Sequence, residues 1–501
     1  MNIVESAGEK VKIVQIIAQL HYGDGVSRCA LSLIKLLNEF GYENELVTLF
    51  LDHRIHHKQV KQIENIDWYD INEADILMYH FYDGFKLNFQ IEKMTNRKIL
   101  IYQNVTSPKF FRGISENVVK GCLLGIYDAY NTVGNYLKCI TMSEFSKKSL
   151  ISMGWNPHDI EVVPLIPLNQ GSNKASEEVL EKYRDKKTNI LFTGRIAPNK
   201  KIEDIINIFV HYKDNYDADC RLFLVGRIYY QNYYKALLRY IKKIGGKEII
   251  FTDHITEEEL ESYYIISDIF LCMSEHEGFC IPLIEAMQRD IPVIAYNAAA
   301  VPDTMGDAGI LFNTKEKETV CAFINKIMCD RELKENVIQK QRERVKYFNL
   351  VSYKERIRKL LAEVMTKSVS QKENDKAVFD NIYIEKDDAV ATKRELDLCE
   401  IEGMSSIVIY GLGKVGKNLA KKIKEKYSDK IVAICDNHVD YINYEGISIF
   451  KHEECIRNYP QAVYIITVQK LFISIVADLL NSGICKKNIK FYDSARHIII
   501  D

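Results

Sequence analysis

Two glutamates are the residues whose type and spacing first suggest chemistry. Glu277 and Glu285 follow an apolar strand predicted at Ile269–Met273, one in the loop and one in the first two turns of the next helix. A single extended ligand could therefore meet both carboxylates, which accept hydrogen bonds from sugar hydroxyls. A surface glutamate and a solvated helix glutamate would have the same spacing, so the pair alone does not identify a site.

The loop between this strand and helix is suited to binding an anion. Pro282 fits the first turn of a helix because its missing N–H would have no partner there. The neighbouring backbone amides are then available to a negative group, which the helix dipole also favours. The residues expected to bind the ligand through this loop are Gly278, Phe279, Cys280, Ile281 and Leu283.

Two cations lie in a second loop, directly after a strand predicted at Asn189–Thr193. Arg195 offers a planar fork of donors and Lys200 a point charge, a pair suited to a diphosphate. Alone in a loop, such cations are usually solvated. In the same domain as the two glutamates, they would stabilise the charge that develops on a departing nucleotide diphosphate.

Together these residues resemble the retaining glycosyltransferases of the GT-B fold, in particular glycosyltransferase family 4, whose mark is two glutamates separated by seven residues. The resemblance covers roughly residues 12–365. It implies that Glu277 holds hydroxyls of the donor hexose, Glu285 the nucleotide ribose, and Arg195 with Lys200 the diphosphate. It also implies transfer of a hexose-type sugar from a UDP- or GDP-sugar to an acceptor hydroxyl with retained anomeric configuration.

Further segments resemble parts of the donor site in this family. A glycine loop after the apolar run Val11–Ala18 opens a helix, so its backbone could approach the donor phosphates, although alone it would be an ordinary turn. Two later strand ends resemble the walls of the base pocket. The residues concerned are Gly23, Asp24 and Gly25 in the glycine loop, and Gly226, Arg227 and His254 at the base pocket.

The acceptor-side candidates lie in the first half of the chain and are His80, Gln103 and Asn104. Gln103 stands where related enzymes often carry histidine, and a neutral amide cannot carry a proton as imidazole can. His80 lies among aromatic residues, so a histidine packed in the core is its alternative. Ser143 is expected to cap the N-terminus of a helix.

No metal ligand is expected in the catalytic half. The sequence Asp217-Ala218-Asp219 precedes a strand predicted at Arg221–Val225 and is interpreted as a solvated loop, away from the expected cleft. Because Arg195 and Lys200 would supply the charge of a divalent cation, the sequence predicts metal-independent turnover without a required cofactor.

These loops require parallel sheets behind them, and apolar runs that alternate with helical patterns predict such sheets. The first set of predicted strands is Val11–Ala18, Ile76–Tyr79, Lys98–Gln103, Leu137–Thr141 and Ile160–Leu165, and the second begins at Asn189 and ends at Phe312. The expected GT-B architecture has an N-terminal Rossmann-like domain at residues 1–168 and a nucleotide-sugar domain at 169–345, facing a cleft. Helices at about 345–365 would pack back on the first domain.

A polar stretch at 366–403 predicts a linker to a third, Rossmann-like α/β domain at 404–501. There, Gly411, Gly413 and Gly416 follow a strand, and Asp436 ends the next one, which fits a dinucleotide fingerprint. A regulatory nucleotide or dinucleotide site and a module for docking or homo-oligomerisation are both compatible with this pattern. An oxidoreductase acting through this domain, and a non-catalytic glycosyltransferase-like binding protein, are the alternative functions.

Composition narrows the classes of protein to which this chain could belong. The 501 residues are 47% hydrophobic and 27% charged, which is typical of a folded protein of two or more domains. A net charge of −2 gives no overall attraction for nucleic acid. The 12 cysteines have no C-x-x-C spacing, and no apolar run is long enough to span a membrane. We expect a cytoplasmic protein, with peripheral contact at the inner membrane face if the glycan acceptor is lipid-linked.

Overall fold

The structure is a computed structural model in which the chain forms two compact units, Met1–Asn374 and Asp375–Asp501. The residues that it describes are 11–63, 71, 73–92, 94–164, 174–367, 401, 403–439, 442–468, 475, 478–479, 482–485, 488–493 and 498–500. The predicted boundary at 168/169 and most of the predicted linker at 366–403 lie outside the described residues.

A seven-stranded, all-parallel sheet forms the first half of unit 1, in the order β3-β2-β1-β4-β5-β6-β7. Its strands are β1 (Lys12–Leu20), β2 (Glu43–Leu51), β3 (Val60–Gln62), β4 (Ile76–Phe81), β5 (Arg97–Tyr102), β6 (Lys138–Thr141) and β7 (Ile160–Val162). The helices described in this half are α1 (Gly25–Glu39), α2 (Lys86–Glu92), α3 (Glu116–Asn131) and α4 (Glu144–Ser152).

The sequence pattern did not predict β2 and β3. Strand β2 begins Glu43-Asn44-Glu45, and these polar residues interrupt the apolar run by which the other strands were recognised. In the fold, β2 pairs with β1 along most of its length, so backbone pairing to a buried neighbour decides its conformation.

A six-stranded, all-parallel sheet forms the second half, in the order β10-β9-β8-β11-β12-β13. Its strands are β8 (Thr188–Thr193), β9 (Cys220–Val225), β10 (Ile249–Asp253), β11 (Ile269–Cys272), β12 (Val293–Tyr296) and β13 (Ile310–Phe312). Its helices are α5 (Glu177–Lys182), α6 (Ile202–Asn215), α7 (Gln231–Lys243), α8 (Glu257–Ile265), α9 (Ile281–Met287), α10 (Val301–Met305), α11 (Lys317–Cys329) and α12 (Arg331–Tyr347).

The strand order explains why the charged loops meet. In each sheet the order reverses beside its first strand, between β1 and β4 and between β8 and β11. Ligands of open α/β sheets bind at the carboxyl ends of the strands next to such a reversal. The loops that carry Arg195 and Glu277 follow the neighbouring strands β8 and β11, so both side chains belong to one sheet edge.

The last helix of unit 1, α13 (Leu350–Thr366), lies against the first sheet's domain. Its buried side chains Tyr353, Ile357 and Leu361 share a core with residues of β1 and α1. Lys354 also forms an ion pair with Glu39 at 2.5 Å. This helix therefore ties the end of the second half back to the first.

Unit 2 is a mixed sheet with a parallel centre, in the order β16-β17-β15-β14-β18-β19-β20. Its strands are β14 (Ile407–Tyr410), β15 (Ile431–Cys435), β16 (Asn443–Tyr444), β17 (Ile447–Phe450), β18 (Val463–Ile466), β19 (Ile489–Asp493) and β20 (Ile498–Ile500), with helices α14 (Lys414–Lys426) and α15 (His452–Asn458). Strands β16 and β20 pair antiparallel at the two edges. Within the described parts of both units, no helix has the length and apolar character needed to cross a bilayer.

Candidate active site

A cavity of about 320 Å³ lies between the two halves of unit 1, at the carboxyl ends of the central strands. Most of the site residues predicted from the sequence line it. They are Gly23, Asp24, Gly25, Gln103, Arg195, Lys200, Gly226, Arg227, His254, Glu277, Gly278, Phe279, Cys280, Ile281 and Glu285. Groups far apart in the chain are thus brought together around a space large enough for a small-molecule ligand.

Lys200 and Glu277 form a buried ion pair in this cavity, with Nζ 2.5 Å from Oε2. Burial opposes ionisation of Glu277, but the Lys200 ammonium holds the pKa of that carboxyl below its usual value. Asn199 braces the pair: its carbonyl accepts from the Glu275 amide at 2.9 Å, and its side chain donates to the His276 carbonyl at 3.0 Å. The loop with the cation is therefore fastened to the loop with the carboxylate.

Arg195 differs from Lys200 because, in the part of the chain that the structure describes, it has no such partner. Its side chain is exposed in the cavity, and its guanidinium lies 5.9 Å from the ring centroid of Tyr229. Among the described residues it makes no hydrogen bond and no ion pair. Its donors are thus available to an anionic ligand, in the fork geometry that suits phosphate oxygens.

The segment from residue 273 to 280, here called the glutamate loop, is held tightly between the two halves. A Cβ on Gly278 would lie 2.6 Å from the Gln103 carbonyl oxygen, so only glycine permits this approach. Ser143, which caps α4 as predicted, also donates from its hydroxyl to the Gly278 carbonyl at 2.8 Å. Within the described residues, the amides of Phe279 and Cys280 have no acceptor, so they remain available at the start of α9.

Glu285 already has two partners in the cavity wall. The Arg28 guanidinium of α1 donates to Oε1 at 2.9 Å, and the Tyr264 hydroxyl donates to Oε2 at 3.0 Å. Sequence reasoning missed both of them. Arg28 follows Asp24 by one helical turn, a spacing that could have indicated it, whereas nothing in the sequence marks Tyr264.

The strand ends expected to form the base pocket lie side by side. A Cβ on Gly226 would overlap the Gly194 carbonyl oxygen, so glycine is required where these two turns touch. The Arg227 guanidinium stacks 4.6 Å from the centroid of Tyr229. His254 meets the ring of Tyr22 edge-on at 5.5 Å, and burial followed by the charge of Arg54 lowers the pKa of His254.

The glycine loop of the first half reaches this pocket. A Cβ on Gly23, which has φ of 75°, would lie 3.1 Å from the His254 ring. Asp24 caps α1, accepting from the amides of Val26 and Ser27 at 3.2 and 3.3 Å. Because Asp24 occupies these amides, the loop offers a ligand less of the helix N-terminus than the glycines suggested.

Three of the predicted site residues are not among those that line the cavity. His80 is fully buried in β4 and bonds Gln15 at 3.0 Å, as a core histidine. Asn104 donates to the Ser146 hydroxyl at 3.0 Å and has a structural role. Leu283 is buried, and its amide donates to the Cys280 carbonyl at 3.1 Å.

Asp83, at the end of β4, is a titratable residue that the prediction did not include. Gly84, Gly121 and Gly125 let α3 pack closely around it. Burial raises the pKa of Asp83 to about 6, although the charge of Arg195 partly opposes this shift. The first half therefore holds a carboxyl group that changes protonation near neutral pH within the electrostatic reach of Arg195.

In unit 2 the predicted glycine fingerprint is largely used for packing. A Cβ on Gly416 would overlap the Gly411 carbonyl oxygen, and one on Gly411 would overlap Val468. Asp436 accepts from the Leu412 amide at 2.7 Å and from the His438 amide at 2.8 Å. Gly413 alone has open space around it. This geometry favours close helix–strand packing over a ribose-binding role for Asp436.

Comparison with known proteins agrees with this geometry. The family profile described as "Glycosyl transferases group 1" matches residues 174–344. The chain is 25% identical over 203 residues to O-antigen chain mannosyltransferase B of Escherichia coli, covering 39% of this chain and 52% of that protein. It is 26% identical over 165 residues to sulfoquinovosyl transferase SQD2 of Arabidopsis thaliana, covering 32% and 30%. The matched region thus spans about half or less of these curated relatives.

Solved structures resemble a larger part of the chain. Anabaena HepE, in complex with UDP and glucose, aligns with a TM-score of 0.55 at 16% identity, covering 70% of this chain and all of that one. Sucrose-phosphate synthase of Thermosynechococcus elongatus aligns with a TM-score of 0.58 at 15% identity, covering 72% and 100%. These likenesses show the GT-B fold, and the group 1 glycosyltransferase profile matches residues 174–344 within it.

Proposed function

We propose that this protein is a retaining, metal-independent glycosyltransferase that moves a hexose-type sugar from a UDP- or GDP-sugar to an acceptor hydroxyl. The observation that carries the proposal is the charge arrangement of the cavity. Arg195 has no hydrogen-bond or ion-pair partner among the described residues, while Lys200 and Glu277 hold each other in place beside it. A cavity with a free cation, a second cation and two carboxylates suits a ligand that joins a diphosphate to a polyhydroxylated ring.

Each part of the donor would contact a particular group in the cavity. Arg195 and the amides of Phe279 and Cys280 would bind the diphosphate, with Lys200 close behind. Glu277 would accept hydrogen bonds from the hexose hydroxyls, and its ion pair fixes its orientation before the donor arrives. Glu285 would accept from the ribose while Arg28 and Tyr264 hold its carboxylate.

In the transfer step, the bond between the anomeric carbon and the phosphate oxygen breaks, and its electron pair stays on the phosphate. Arg195, Lys200 and the helix amides stabilise that charge, which is larger in the transition state than in the bound donor. The acceptor hydroxyl attacks the anomeric carbon from the same face, and its proton passes to the leaving phosphate oxygen. Because the new bond forms on the face from which the phosphate leaves, the anomeric configuration is retained without a protein nucleophile.

Side-chain cations make a divalent metal unnecessary in this scheme. Asp217 and Asp219 precede β9, whereas the opposite end of β9, at Val225, lines the cavity. We expect turnover to be unchanged by EDTA. Activity that EDTA abolishes and Mn²⁺ restores would contradict metal independence.

The relatives suggest where the reaction belongs. One is named an O-antigen chain mannosyltransferase, and a structural neighbour was solved with UDP-glucose. We infer a role in cell-surface polysaccharide or glycoconjugate synthesis, with a carbohydrate or lipid-linked glycan as acceptor. The protein would then work in the cytoplasm, in peripheral contact with the inner membrane face where the acceptor is lipid-linked.

A donor screen tests the proposal directly. Purified protein is mixed with UDP- and GDP-sugars, and the melting temperature and slow donor hydrolysis are measured. A donor that binds only the folded state raises the melting temperature by mass action. We expect a shift with one nucleotide class and its loss in Arg195→Ala and Glu277→Ala.

Arg239→Ala is the matched control, because Arg239 is exposed on α7 and is not among the residues that line the cavity. It should respond to the donor as the unmodified protein does. If no nucleotide sugar raises the melting temperature or is hydrolysed, the transferase proposal fails.

A further inference from the structure

Two cysteines lie beside the cavity, one immediately before the glutamate loop and one at its end. Cys272 is the last residue of β11, and Cys280 immediately precedes α9. Their thiols and the carboxylate of Glu277 all lie within 4.8 Å of one another. The three residues are only 1%, 9% and 7% exposed, so the cluster is enclosed by protein except where it borders the cavity.

Cys280 occupies a backbone position that favours glycine. Its φ of 72° and ψ of 64° are left-handed, a conformation that costs a residue with a Cβ about 1 kcal/mol or more and that glycine adopts freely. A position that would accept glycine more easily carries a side chain instead. That side chain is a thiol within a few ångströms of a second thiol and a carboxylate.

The chemistry of the three groups is that of a soft-metal site. Two cysteine thiolates and a carboxylate oxygen are ligands that zinc takes in proteins. Both thiols must lose their protons when a cation binds them.

The distances within the cluster and its charge also fit a zinc ion. Tetrahedral zinc with ordinary bond lengths holds its ligand atoms about 3.5 to 3.8 Å apart. The ligand atoms here lie within 4.8 Å of one another, so side-chain rotations that move them by about an ångström would bring them to these distances. Two thiolates and one carboxylate would balance the charge of the cation and leave one negative charge beside Lys200. The fourth coordination position would face the cavity, because Glu277 and Cys280 both line it.

We propose that Cys272, Cys280 and Glu277 bind a thiophilic divalent cation of the zinc type. The bound cation takes Glu277 out of its role towards a ligand in the cavity, so it acts as an inhibitor. The inhibitory part rests on the proposed function, whereas the binding part does not. Metal-independent turnover is compatible with it, because the cation blocks the site and is not required there.

Metal binding is tested on the full-length, reduced protein without any activity assay. Zn²⁺ affinity is measured by competition with a chromophoric chelator, and Co²⁺ is added to detect the charge-transfer absorption of thiolate ligands. We expect one high-affinity cation per chain with a two-thiolate cobalt spectrum. Cys280→Gly and Cys272→Ala should each weaken binding about a hundredfold, because each removes a direct ligand.

Two controls separate this site from general thiol binding and from misfolding. Cys329→Ser removes an exposed thiol elsewhere in the chain and should leave the affinity and the cobalt spectrum unchanged. Cys280→Gly relieves the left-handed strain, so its melting temperature should not fall, and its loss of cation binding cannot then come from unfolding.

Any one of these outcomes would overturn the proposal: no thiolate–cobalt absorption, binding retained in Cys280→Gly, or loss of binding in Cys329→Ser. Complete oxidation of Cys272 and Cys280 to a disulfide by peroxide, with no cation bound by the reduced pair, would also overturn it and make the pair a redox element. The donor screen gives its answer independently, so failure of the metal site and failure of the transferase proposal can be told apart.

Discussion

The glutamate loop of unit 1 and the glycine loop of unit 2 both connect a strand to a helix, but the groups around them differ. Each is a turn that contains glycine between a parallel strand and a helix. Around the glutamate loop, Arg195 is uncommitted and the amides of Phe279 and Cys280 have no acceptor among the described residues. Around the glycine loop of residues 411–416, the space next to Gly411 and Gly416 is filled by neighbouring atoms, and Asp436 bonds the backbone.

This difference shows what a glycine-rich turn does and does not indicate. Glycine permits close approach, but the approaching group can be a ligand or another part of the same chain. At Gly278 it is the Gln103 carbonyl of the other half of the cleft, which brings the two halves together around a cavity. At Gly416 it is the carbonyl of the same loop, which closes the turn on itself. Charged side chains without partners therefore distinguish a ligand-binding loop from a packed turn better than glycines do.

The largest effect should come from Lys200→Met. Glu277 would then be a buried carboxylate without its counter-charge, and breaking a buried ion pair costs roughly 3 to 5 kcal/mol. We expect a clear fall in the melting temperature, and a partial recovery in the double variant Lys200→Met with Glu277→Gln. Lys243→Met, at an exposed position of α7, is the control. A double variant as unstable as Lys200→Met would mean that the pair is not what stabilises the loop.

Gly416→Ala tests the packed loop of unit 2. The added Cβ would overlap the Gly411 carbonyl oxygen, and such overpacking costs about 1 to 3 kcal/mol. Hydrogen exchange followed by mass spectrometry should show faster exchange in β14 and α14. Gly413→Ala is the matched control, because no atom lies near its Cβ position.

A titration with NADH tests whether the glycine loop of unit 2 binds a nucleotide. If the glycine loop serves packing, fluorescence should show no saturable binding to the full-length protein. Saturable binding that Gly413→Ala weakens would instead make unit 2 a nucleotide site, as its fingerprint suggests.

Arg28→Met should have a smaller effect than Lys200→Met. Glu285 would lose the Arg28 guanidinium but keep the Tyr264 hydroxyl, so we expect a cost of about 1 to 2 kcal/mol. The melting temperature measures it, with Arg239→Met as the control. Equal stability of the two variants would show that the contact between α1 and Glu285 does not hold the halves together.

The smallest effect concerns pH and Asp83. Its pKa in the folded protein is about 6, above the usual value of an aspartate, so the folded state keeps its proton where the unfolded state has lost it. Stability from this group is therefore present at low pH and is lost as pH rises from about 4 to about 6. Asp83→Asn cannot ionise, so it does not lose this stability. The free energy of unfolding of Asp83→Asn, minus that of the unmodified protein, should therefore be about 1 to 2 kcal/mol larger at pH 7.5 than at pH 4.5. Melting temperatures of both proteins at the two pH values measure this difference. An equal difference at both pH values would contradict the raised pKa.

Most strand positions could be predicted because buried parallel strands are continuous apolar runs. Ile431–Cys435 and the helix Lys414–Lys426 agree with their predicted bounds, and Ile269–Cys272 differs from its prediction by one residue. Strand β2 escaped prediction because its first residues are polar. His80 and Leu283 are buried and do not line the cavity. Their position near a strand or helix end could not show on which side of the sheet, or in which hydrogen bond, each group lies.

The sequence by itself determined which residues can do chemistry and which loops carry them, because residue type fixes charge and the apolar pattern fixes where strands end. Only the tertiary structure decided which of those groups are already satisfied. Glu285 is held by Arg28 from 257 residues away, Lys200 is paired with Glu277, and Arg195 keeps its donors exposed. The reason is physical: a hydrogen bond or ion pair depends on distances of a few ångströms, and these distances are set by how two sheets pack and not by spacing along the chain.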